Sequence, residues 1–288
     1  KIGVLDVPAS HCTPHPLDFR IWALCYGGSV AITSISQFDD VLNDQSSSIS
    51  SYDDFPISAK TGGVIAAKND VSQLSFSHDG RYIALTTSKA WHVFSVPDAF
   101  VCNASGVATA PLGISSSAKN LQMRATFTRP DGGEFGGGVM VGDKLVLLET
   151  EASGTENAGI QTTLTVVDVM SPSSERQRVT LTFPELATST ERAASRQRVA
   201  IDKTGRFLCV TSQNSQYIAV VAVRDVADTT GPPLHHVCFL DVGDEVLTAL
   251  LAETEYGLLV TAADVEGNSS RFWAPRGKMS SASVNATG

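Results

Sequence analysis

A unit of three strands joined by two turns recurs along this chain and constrains its fold more than any other feature. The clearest copy runs from Val71 to Val96, with predicted strands at Val71–Phe76, Tyr82–Thr87 and Trp91–Val96. A second copy, Gln197 to Val223, contains the same parts in the same order. Alternation of apolar and polar residues with a period of two predicts β-strands. Repetition of such a unit predicts an array of small sheets.

Weaker copies extend the array over most of the chain. They comprise a third copy at Glu245–Trp273, a degenerate one at Leu121–Val169 with a wide loop at Glu151–Gly159, and a partial one at Arg20–Ile35. Each unit is an antiparallel sheet with two apolar faces, so neighbouring units must stack to bury them. Between the first two strands of the clearest copy, Gly80 supplies the positive φ that the tight turn requires.

The fold class that follows is an all-β β-propeller with four-stranded antiparallel blades. Helical periodicity is almost absent, and its best candidate, Glu185 to Arg198, is polar and is better interpreted as a loop. We expect about five blades in this chain and a seven-bladed ring in the full protein. The chain begins at Lys1 rather than Met, so we expect residues 1–288 to form a single propeller domain that lacks its N-terminal blades.

The ends of the third strands resemble those of the WD-repeat family, in which a Trp-Asp pair occupies this position. The matching pairs are Leu5-Asp6, Phe94-Ser95, Val167-Asp168, Val221-Ala222 and Trp273-Ala274. Only Asp6 and Asp168 keep the acid and only Trp273 keeps the indole, so the repeats are degenerate. Asp6, Asp79 and Asp168 are expected to stabilise turns by accepting hydrogen bonds from backbone N–H or hydroxyl groups.

Several polar segments are predicted to be loops. Residues 38–61 form an acidic, Ser-rich insertion that we expect to be mobile, and its pairs Asp39-Asp40 and Asp53-Asp54 are interpreted as solvated residues rather than an acid/base dyad. The glycines from Gly132 to Gly138 precede no Gly-Lys-Ser/Thr sequence, so a flexible loop between strands is predicted there instead of a phosphate-binding loop.

Composition disfavours several classes of partner. The net charge is −9 and Lys and Arg are scattered, which argues against nucleic acids and anionic lipid surfaces. No apolar run approaches the ~18 residues of a membrane span. Among the five cysteines, Cys25 and Cys209 lie in apolar strands and are expected to be buried free thiols in a reducing compartment. The predicted location is therefore the cytoplasm, although sequons at Asn103, Asn268 and Asn285 would suit secretion.

No set of residues in the sequence predicts a catalytic, cofactor or metal site. His11, Cys12 and His15 lie in a Pro-rich turn without a fourth ligand. Near the other candidate, His236 and Cys238 are expected to share a strand face from which His235 points away. A Gly-x-Ser-x-Gly nucleophile motif is absent. We therefore expect a non-enzymatic platform for protein partners, with no cofactor.

Two alternatives follow from family resemblance. Val71–Val96, and the run from Phe127 to Asp225, resemble blades of the prolactin regulatory element-binding protein family. That resemblance implies guanine-nucleotide exchange on a Sar-type small GTPase during vesicle coat assembly, with the protein held on the cytoplasmic face of the endoplasmic reticulum by a segment not present here. The family's active loop has no counterpart in this sequence, so no active residue is carried over.

The run DKTGRFLCVTSQNSQYIAVVAV, residues 202–223, also resembles repeats of lactonase-like propeller hydrolases. Such an enzyme needs acidic and polar residues that converge at one end of the axial channel. The sequence provides no such set in several blades, so this is the weaker alternative.

Overall fold

The computed structural model describes an all-β chain. It describes residues 11–18, 21–26, 29–34, 57–60, 71–97, 121–129, 134–150, 161–171, 177–184, 197–212, 215–223 and 234–275. Every secondary-structure element in these ranges is a β-strand, which confirms the predicted fold class. The region 185–196 and most of the predicted loops lie outside the described residues.

The strands form five antiparallel sheets, called blades 1 to 5 in chain order, and each strand pairs with the next one along the chain. Blade 1 contains β1 (His11–Pro14), β2 (Ile21–Tyr26), β3 (Ser29–Ser34) and β4 (Ile57–Lys60). Blade 2 contains β5 (Val71–Phe76), β6 (Tyr82–Thr87), β7 (Ala90–Ser95) and β8 (Gln122–Thr128). Blade 3 contains β9 (Glu134–Val141), β10 (Lys144–Thr150), β11 (Gln161–Asp168) and β12 (Gln177–Thr182).

The last two blades follow the same plan. Blade 4 contains β13 (Gln197–Ile201), β14 (Phe207–Ser212), β15 (Tyr217–Val223) and β16 (Leu234–Asp241). Blade 5 has three strands among the described residues: β17 (Val246–Glu253), β18 (Gly257–Asp264) and β19 (Ser269–Pro275). The first strands β5, β9 and β13 contact one another, so they lie innermost and the blades radiate from them.

The hydrophobic core lies in the four seams between successive blades rather than inside any one blade. Ile32 and Phe94 lie in the seam between blades 1 and 2, and Trp91 and Leu145 lie in the seam between blades 2 and 3. Blades 3 and 4 enclose the third seam, and blades 4 and 5 enclose the fourth. Each blade of the interior therefore has two buried faces, as the sequence predicts.

Three of the glycines predicted to form a flexible loop lie instead inside β9, so that prediction is wrong for Gly136, Gly137 and Gly138. A β-carbon on Gly137 would overlap the side-chain oxygen of Gln73 in blade 2. One on Gly138 would lie 2.7 Å from Oγ1 of Thr86. The glycines permit this close approach of two blades near the axis, a role that glycine has in strands.

Two predicted boundaries also change. Ile57–Lys60 forms β4, so the loop predicted over residues 38–61 does not include these four residues, and the rest of that segment lies outside the described residues. The degenerate copy at Leu121–Val169 spans two blades, because β8 pairs with β7 as the outer strand of blade 2.

The predicted Trp-Asp position in blade 5 is displaced by one residue. In blade 4 Leu208 pairs with Val221, and the corresponding Leu258 of blade 5 pairs with Ala274 rather than Trp273. Leu208 and Leu258 occupy corresponding positions, because each directly follows the residue whose backbone hydrogen bond closes the turn between the first and second strands. A displacement of one residue places a side chain on the opposite face, so Trp273 does not occupy the family's Trp position.

Candidate interaction face

The connections between first and second strands lie on one side of the stack and contact one another from blade to blade. We call this side the turn face and define it by residues 15–18, 77–81, 202–206 and 253–257. Its contacts join blade 1 to blade 2, blade 2 to blade 4, and blade 4 to blade 5. Side chains exposed on these turns are therefore held at fixed spacings.

His15 makes the contact between blades 1 and 2. Its Nδ1 accepts hydrogen bonds from the backbone N–H groups of Leu17 and Asp18, both at 3.2 Å. Its Nε2 lies 3.3 Å from the carbonyl oxygen of Gly80. Because Nδ1 accepts two donors, the ring must be neutral with its proton on Nε2, which then donates to Gly80. Burial lowers the pKa of His15, although the Gly80 hydrogen bond and the carboxylates of Asp18 and Asp79 oppose this.

The remaining contacts of the turn face involve blade 4. The imidazole of His78 lies against Gly205, where an added β-carbon would be 3.0 Å from the ring. Nη1 of Arg206 donates to Oε1 of Glu253 at 2.8 Å. Oγ1 of Thr204 lies 2.8 Å from Oε2 of the same carboxylate. The Glu253 side chain is only 5% exposed, whereas that of Arg206 is 60% exposed, so this link between blades 4 and 5 lies at the protein surface.

Two of the turns use the same hydrogen-bonding pattern with acid and hydroxyl exchanged. In blade 2 Ser77 precedes Asp79, whose Oδ1 accepts from the Ser77 hydroxyl at 2.6 Å and from the Arg81 N–H at 3.1 Å. In blade 4 the acid comes first, and Asp202 accepts from the N–H groups of Thr204, Arg206 and Phe207 and from the Thr204 hydroxyl. A carboxylate in a tight turn thus accepts hydrogen bonds from donor groups that strand pairing leaves without an acceptor.

The expected turn role of aspartates is found at both positions that the structure describes. Asp79 acts as stated above, and Oδ1 of Asp168 accepts from the N–H of Met170 at 2.8 Å. Asp6 lies outside the described residues. Sequence reasoning missed Asp202, the most buried acid of the turn face, although the spacing Asp-x-Thr-Gly-Arg resembles the spacing Ser-x-Asp-Gly-Arg of blade 2.

The surface of the turn face combines apolar and basic groups. Leu17 in blade 1 and Tyr256 in blade 5 are exposed apolar side chains at its two ends. Between them Arg81, Lys203 and Arg206 are exposed, and the acidic Glu255 is exposed beside Tyr256. The nearby Glu253 and Asp202 are turned inward by the hydrogen bonds described above. Exposed aromatic and arginine side chains on a fixed support are typical of protein-binding surfaces.

Along the axis, hydrogen bonds come from amides and hydroxyls. The side-chain amide of Gln73 donates to the carbonyl of Val199 at 2.6 Å and accepts from its N–H at 3.2 Å, so β5 and β13 are joined across β9. Nε2 of Gln197 donates to Thr162 at 2.6 Å. Within β5, β9 and β13 the single acid is Glu134, which lies 3.6 Å from Lys89. The convergent acids that a lactonase requires are not present in these three strands.

One buried carboxylate escaped sequence reasoning altogether. Glu149, at the end of β10, is 1% exposed, and its Oε2 lies 3.7 Å from Nη1 of Arg129 and 3.8 Å from Nη2 of Arg178. Arg129 follows the outer strand of blade 2, and Arg178 belongs to the outer strand of blade 3. The two guanidinium groups surround a charge that would be costly to bury alone, so this cluster stabilises the second seam.

The predicted pairing of His236 with Cys238 on one face is wrong. A β-bulge between Val220 and Val221 places Cys238 opposite Val220 and His236 opposite Val221. Cys238 therefore packs in the seam with blade 5. His236 points the other way, with its ring centroid 4.5 Å from that of Phe239. A bulge inserts one residue, here Val237, and so reverses the alternation that the sequence suggests.

The described residues contain no group of three His, Cys, Asp or Glu side chains placed to hold a metal. His11 is half-buried and pairs with Cys25 across the sheet, whereas Cys12 is exposed. Cys12, Cys25, Cys209 and Cys238 are free cysteines, and Cys25 and Cys209 are buried as predicted. Burial raises the pKa of Cys209 to about 12, so this thiol is chemically inert.

Comparison with solved structures identifies the fold. The WD40 domain of Toxoplasma gondii coronin superposes with a TM-score of 0.52 at 10% identity, over 91% of this chain and 54% of that one. Sqt1 from Chaetomium thermophilum gives a TM-score of 0.50 at 13% identity, over 93% of this chain and 60% of that one. The fold is a WD40-like β-propeller.

The likeness of this WD40-like propeller to other proteins is one of structure. No protein-family model matches the chain, and no curated protein matches it. The chain spans between 54% and 60% of the two solved structures given above. No helix long and apolar enough to cross a membrane occurs in the described part of the chain.

Proposed function

We propose that this propeller is a non-enzymatic platform that binds a protein partner through the turn face. The observation that carries the proposal is the series of contacts between turns of different blades, from His15 and Gly80 to Arg206 and Glu253. These contacts fix the positions of Leu17 and Tyr256 before a partner arrives. Preorganisation of this kind reduces the entropy that binding must lose.

The partner that suits the turn face presents an apolar side chain beside acidic groups. Leu17 and Tyr256 offer apolar area, while the exposed Lys203 offers a charge that a carboxylate would neutralise. The exposed Arg81 lies 3.8 Å from the carboxylate of Asp79 in its own turn. The location proposed for this interaction is the cytoplasm. The free cysteines of the described residues support that location, because disulfides are rare in a reducing compartment.

Affinity capture with matched variants tests the platform. The wild-type chain, a turn-face variant carrying Leu17→Glu and Tyr256→Glu, and a control carrying Met170→Glu and Val237→Glu serve as baits in the same quantitative capture. All four positions are exposed apolar residues, so the two variants differ in location and not in chemistry. A partner lost from the turn-face variant and retained by the control supports the proposal. A partner retained by the turn-face variant and lost from the control contradicts it.

The second candidate function is nucleotide exchange on a Sar-type small GTPase. Two segments, Val71–Val96 and residues 127–225, resemble the endoplasmic-reticulum exchange factor. Together they include the first three strands of blades 2, 3 and 4 in order, and this supports the candidate. Exchange would proceed by tighter binding of the nucleotide-free GTPase, a differential affinity between two states. Release of a fluorescent nucleotide from the GTPase should accelerate when the propeller is added, with magnesium chelation as the positive control. An unchanged rate rejects this candidate and leaves the platform proposal intact.

A further inference from the structure

The outer strand of each four-stranded blade lies at the rim of the propeller. These strands are β4, β8, β12 and β16, and in the described part of the chain each has a neighbouring strand on one edge only. An unpaired strand edge exposes a row of backbone N–H and carbonyl groups that another strand can join. Folded proteins therefore protect such edges, commonly with a bulge or by keeping the strand very short.

Three of these four strands are protected in one of these two ways. β8 contains a bulge, because Arg124 is an extra residue between the partners of Val93 and Phe94. β16 contains the bulge at Val237. β4 is only four residues long. Among the described outer strands, β12 alone has neither form of protection.

The side chains of β12 also leave its outer edge open. The strand runs from Gln177 to Thr182 with an unbroken register against β11 and without a proline. Its one charged residue is Arg178, whose Nη2 lies 3.8 Å from Oε2 of Glu149 on β10. That side chain therefore crosses the sheet inward, away from the outer edge. Gln177, Thr180 and Thr182 are exposed and uncharged, so no side-chain charge of β12 guards the edge.

We infer that the outer edge of β12 binds an extended segment of a partner protein, which adds a fifth strand to blade 3. Successive residues of a strand direct their backbone groups to opposite edges, so half of the six residues of β12 present an N–H and a carbonyl outward. An added strand can therefore form about six backbone hydrogen bonds with β12. Only an extended backbone offers donors and acceptors at this spacing, so the chemistry of the edge selects a strand.

Side chains beside the edge define the sequence pattern of the added segment. On one side of the sheet Leu181 is buried and Val179 is partly buried in the seam with blade 4. Phe239 of blade 4 is also partly buried in this seam, with its ring centroid 5.3 Å from that of Phe183. On the other side of the sheet Thr180 is exposed. Because the side chains of a strand alternate between faces, the segment should place apolar residues beside Val179 and polar residues beside Thr180.

This interaction goes beyond the function proposed for the turn face and does not depend on it. β12 lies at the outer rim of blade 3, whereas the turn face consists of turns between the first and second strands of blades 1, 2, 4 and 5. Loss of binding at one surface would therefore leave the other surface intact.

A peptide with the sequence of Gln161–Asp168 is a suitable probe, because these residues of β11 already match the side chains of β12. Leu164 lies opposite Val179 and Thr163 lies opposite Thr180, and the same antiparallel alignment is available at the outer edge. Fluorescence anisotropy of the labelled peptide should show saturable binding to the 288-residue chain, with half-saturation below about 200 µM. No binding at that concentration overturns the inference.

Two N-methylated forms of the peptide test backbone pairing without any change to the protein. One form carries methyl groups on the backbone amides of the residues equivalent to Thr163 and Thr165, and the other on those equivalent to Leu164 and Val166. Only one of these sets faces β12 in an added strand. One form should therefore bind at least about tenfold more weakly, while the other should bind like the unmodified peptide. Equal effects of the two methylation patterns overturn the inference.

Hydrogen exchange locates the bound peptide on the chain. Binding should slow exchange across residues 177–182, while the bulged outer strands β8 and β16 serve as internal controls and remain unchanged. Exchange in β11 should not become faster, because the peptide adds to the sheet and does not replace β11. Slower exchange confined to β8, β16 or the turn face, or faster exchange in β11, overturns the inference.

Discussion

The side-chain amide of Gln73 pairs with both the N–H and the carbonyl of Val199, so that blade 2 is joined to blade 4 across the glycine strand β9. This pairing satisfies one residue of the innermost edge of blade 4, which has no neighbouring strand on that side. Three blades thereby converge at the axis. The turn face is therefore held together both by contacts between its own turns and by this hydrogen-bonded pair between the inner strands.

Gln73 and Gly137 should show strong coupling in a double-mutant cycle. Gly137→Ala places a methyl group into the side-chain oxygen of Gln73, and overpacking of this kind costs about 1–3 kcal/mol. Gln73→Ala leaves the Val199 groups without a partner, at a cost of about 1–3 kcal/mol. Since the double variant removes the clash, urea unfolding should give a loss smaller than the sum of the single losses. Additive losses would show that the two residues do not meet.

Gly80 and Gly205 should differ in their tolerance of alanine. Both have positive φ, +72° and +74°, so both substitutions carry about the same backbone penalty of roughly 1 kcal/mol. At Gly80 the added methyl group would also overlap the buried ring of His15. At Gly205 it would meet the His78 ring at 3.0 Å, and that ring is half-buried and can move. Thermal unfolding should therefore show a larger loss for Gly80→Ala. Equal losses of stability would show that the His15 ring moves aside without a cost in unfolding free energy, contrary to this prediction.

Asp202→Ala should destabilise the fold more than Asp79→Ala. Asp202 is fully buried and accepts four hydrogen bonds from its own turn, so its removal leaves buried donors without acceptors. We expect about 2–4 kcal/mol for Asp202→Ala, compared with about 0.5–1.5 kcal/mol for the partly exposed Asp79. Because the two turns exchange acid and hydroxyl, a blade 2 variant with Ser77→Asp and Asp79→Thr should unfold close to wild type. A loss matching that of Asp202→Ala would refute the equivalence.

Stability should fall as the pH decreases below about 6.5, the ordinary pKa of histidine. Burial lowers the folded-state pKa of His11, His15, His92 and His236. Each of these rings is neutral in the folded chain while its unfolded counterpart binds a proton, so unfolding takes up protons in this window. The stabilisation is complete above the unfolded pKa and is lost as the pH falls through the folded one. Urea midpoints measured between pH 8 and pH 5 should decrease, and they should decrease less for His92→Gln.

A rising urea midpoint over the same range would contradict the assigned direction of the pKa shifts. Within that experiment His15 is the informative ring, because its Nδ1 must release two N–H donors before it can be protonated. Nitrogen chemical shifts of His15 should therefore report the neutral ring with its proton on Nε2 at pH 7.

The periodic parts of the fold could be predicted from the sequence. Val71–Phe76 and Tyr82–Thr87 are found at the predicted boundaries, because alternation, turn residues and burial all agree in these strands. The propeller itself followed from their repetition. Seven blades for the whole protein, and the location of the protein, remain predictions.

What could not be predicted depends on contacts between blades. Gly136–Gly138 resembles a loop by composition, and only the approach of Gln73 and Thr86 explains a strand there. The bulge at Val237 and the displaced register of Trp273 each move one residue to the other face, and no local pattern marks them. The turn face likewise arises because His15, His78 and Glu253 reach turns that are distant in sequence.

Hydrogen exchange of the propeller, free and bound to the partner recovered by affinity capture, tests the central claim most directly. The account predicts that binding slows exchange in the peptides covering residues 15–18, 77–81, 202–206 and 253–257, while β8 and β12 on the outer edges remain unchanged. Slower exchange confined to the outer strands, or to the opposite side of the stack around Ser88 and Gly243, would contradict the assignment of the turn face as the binding surface.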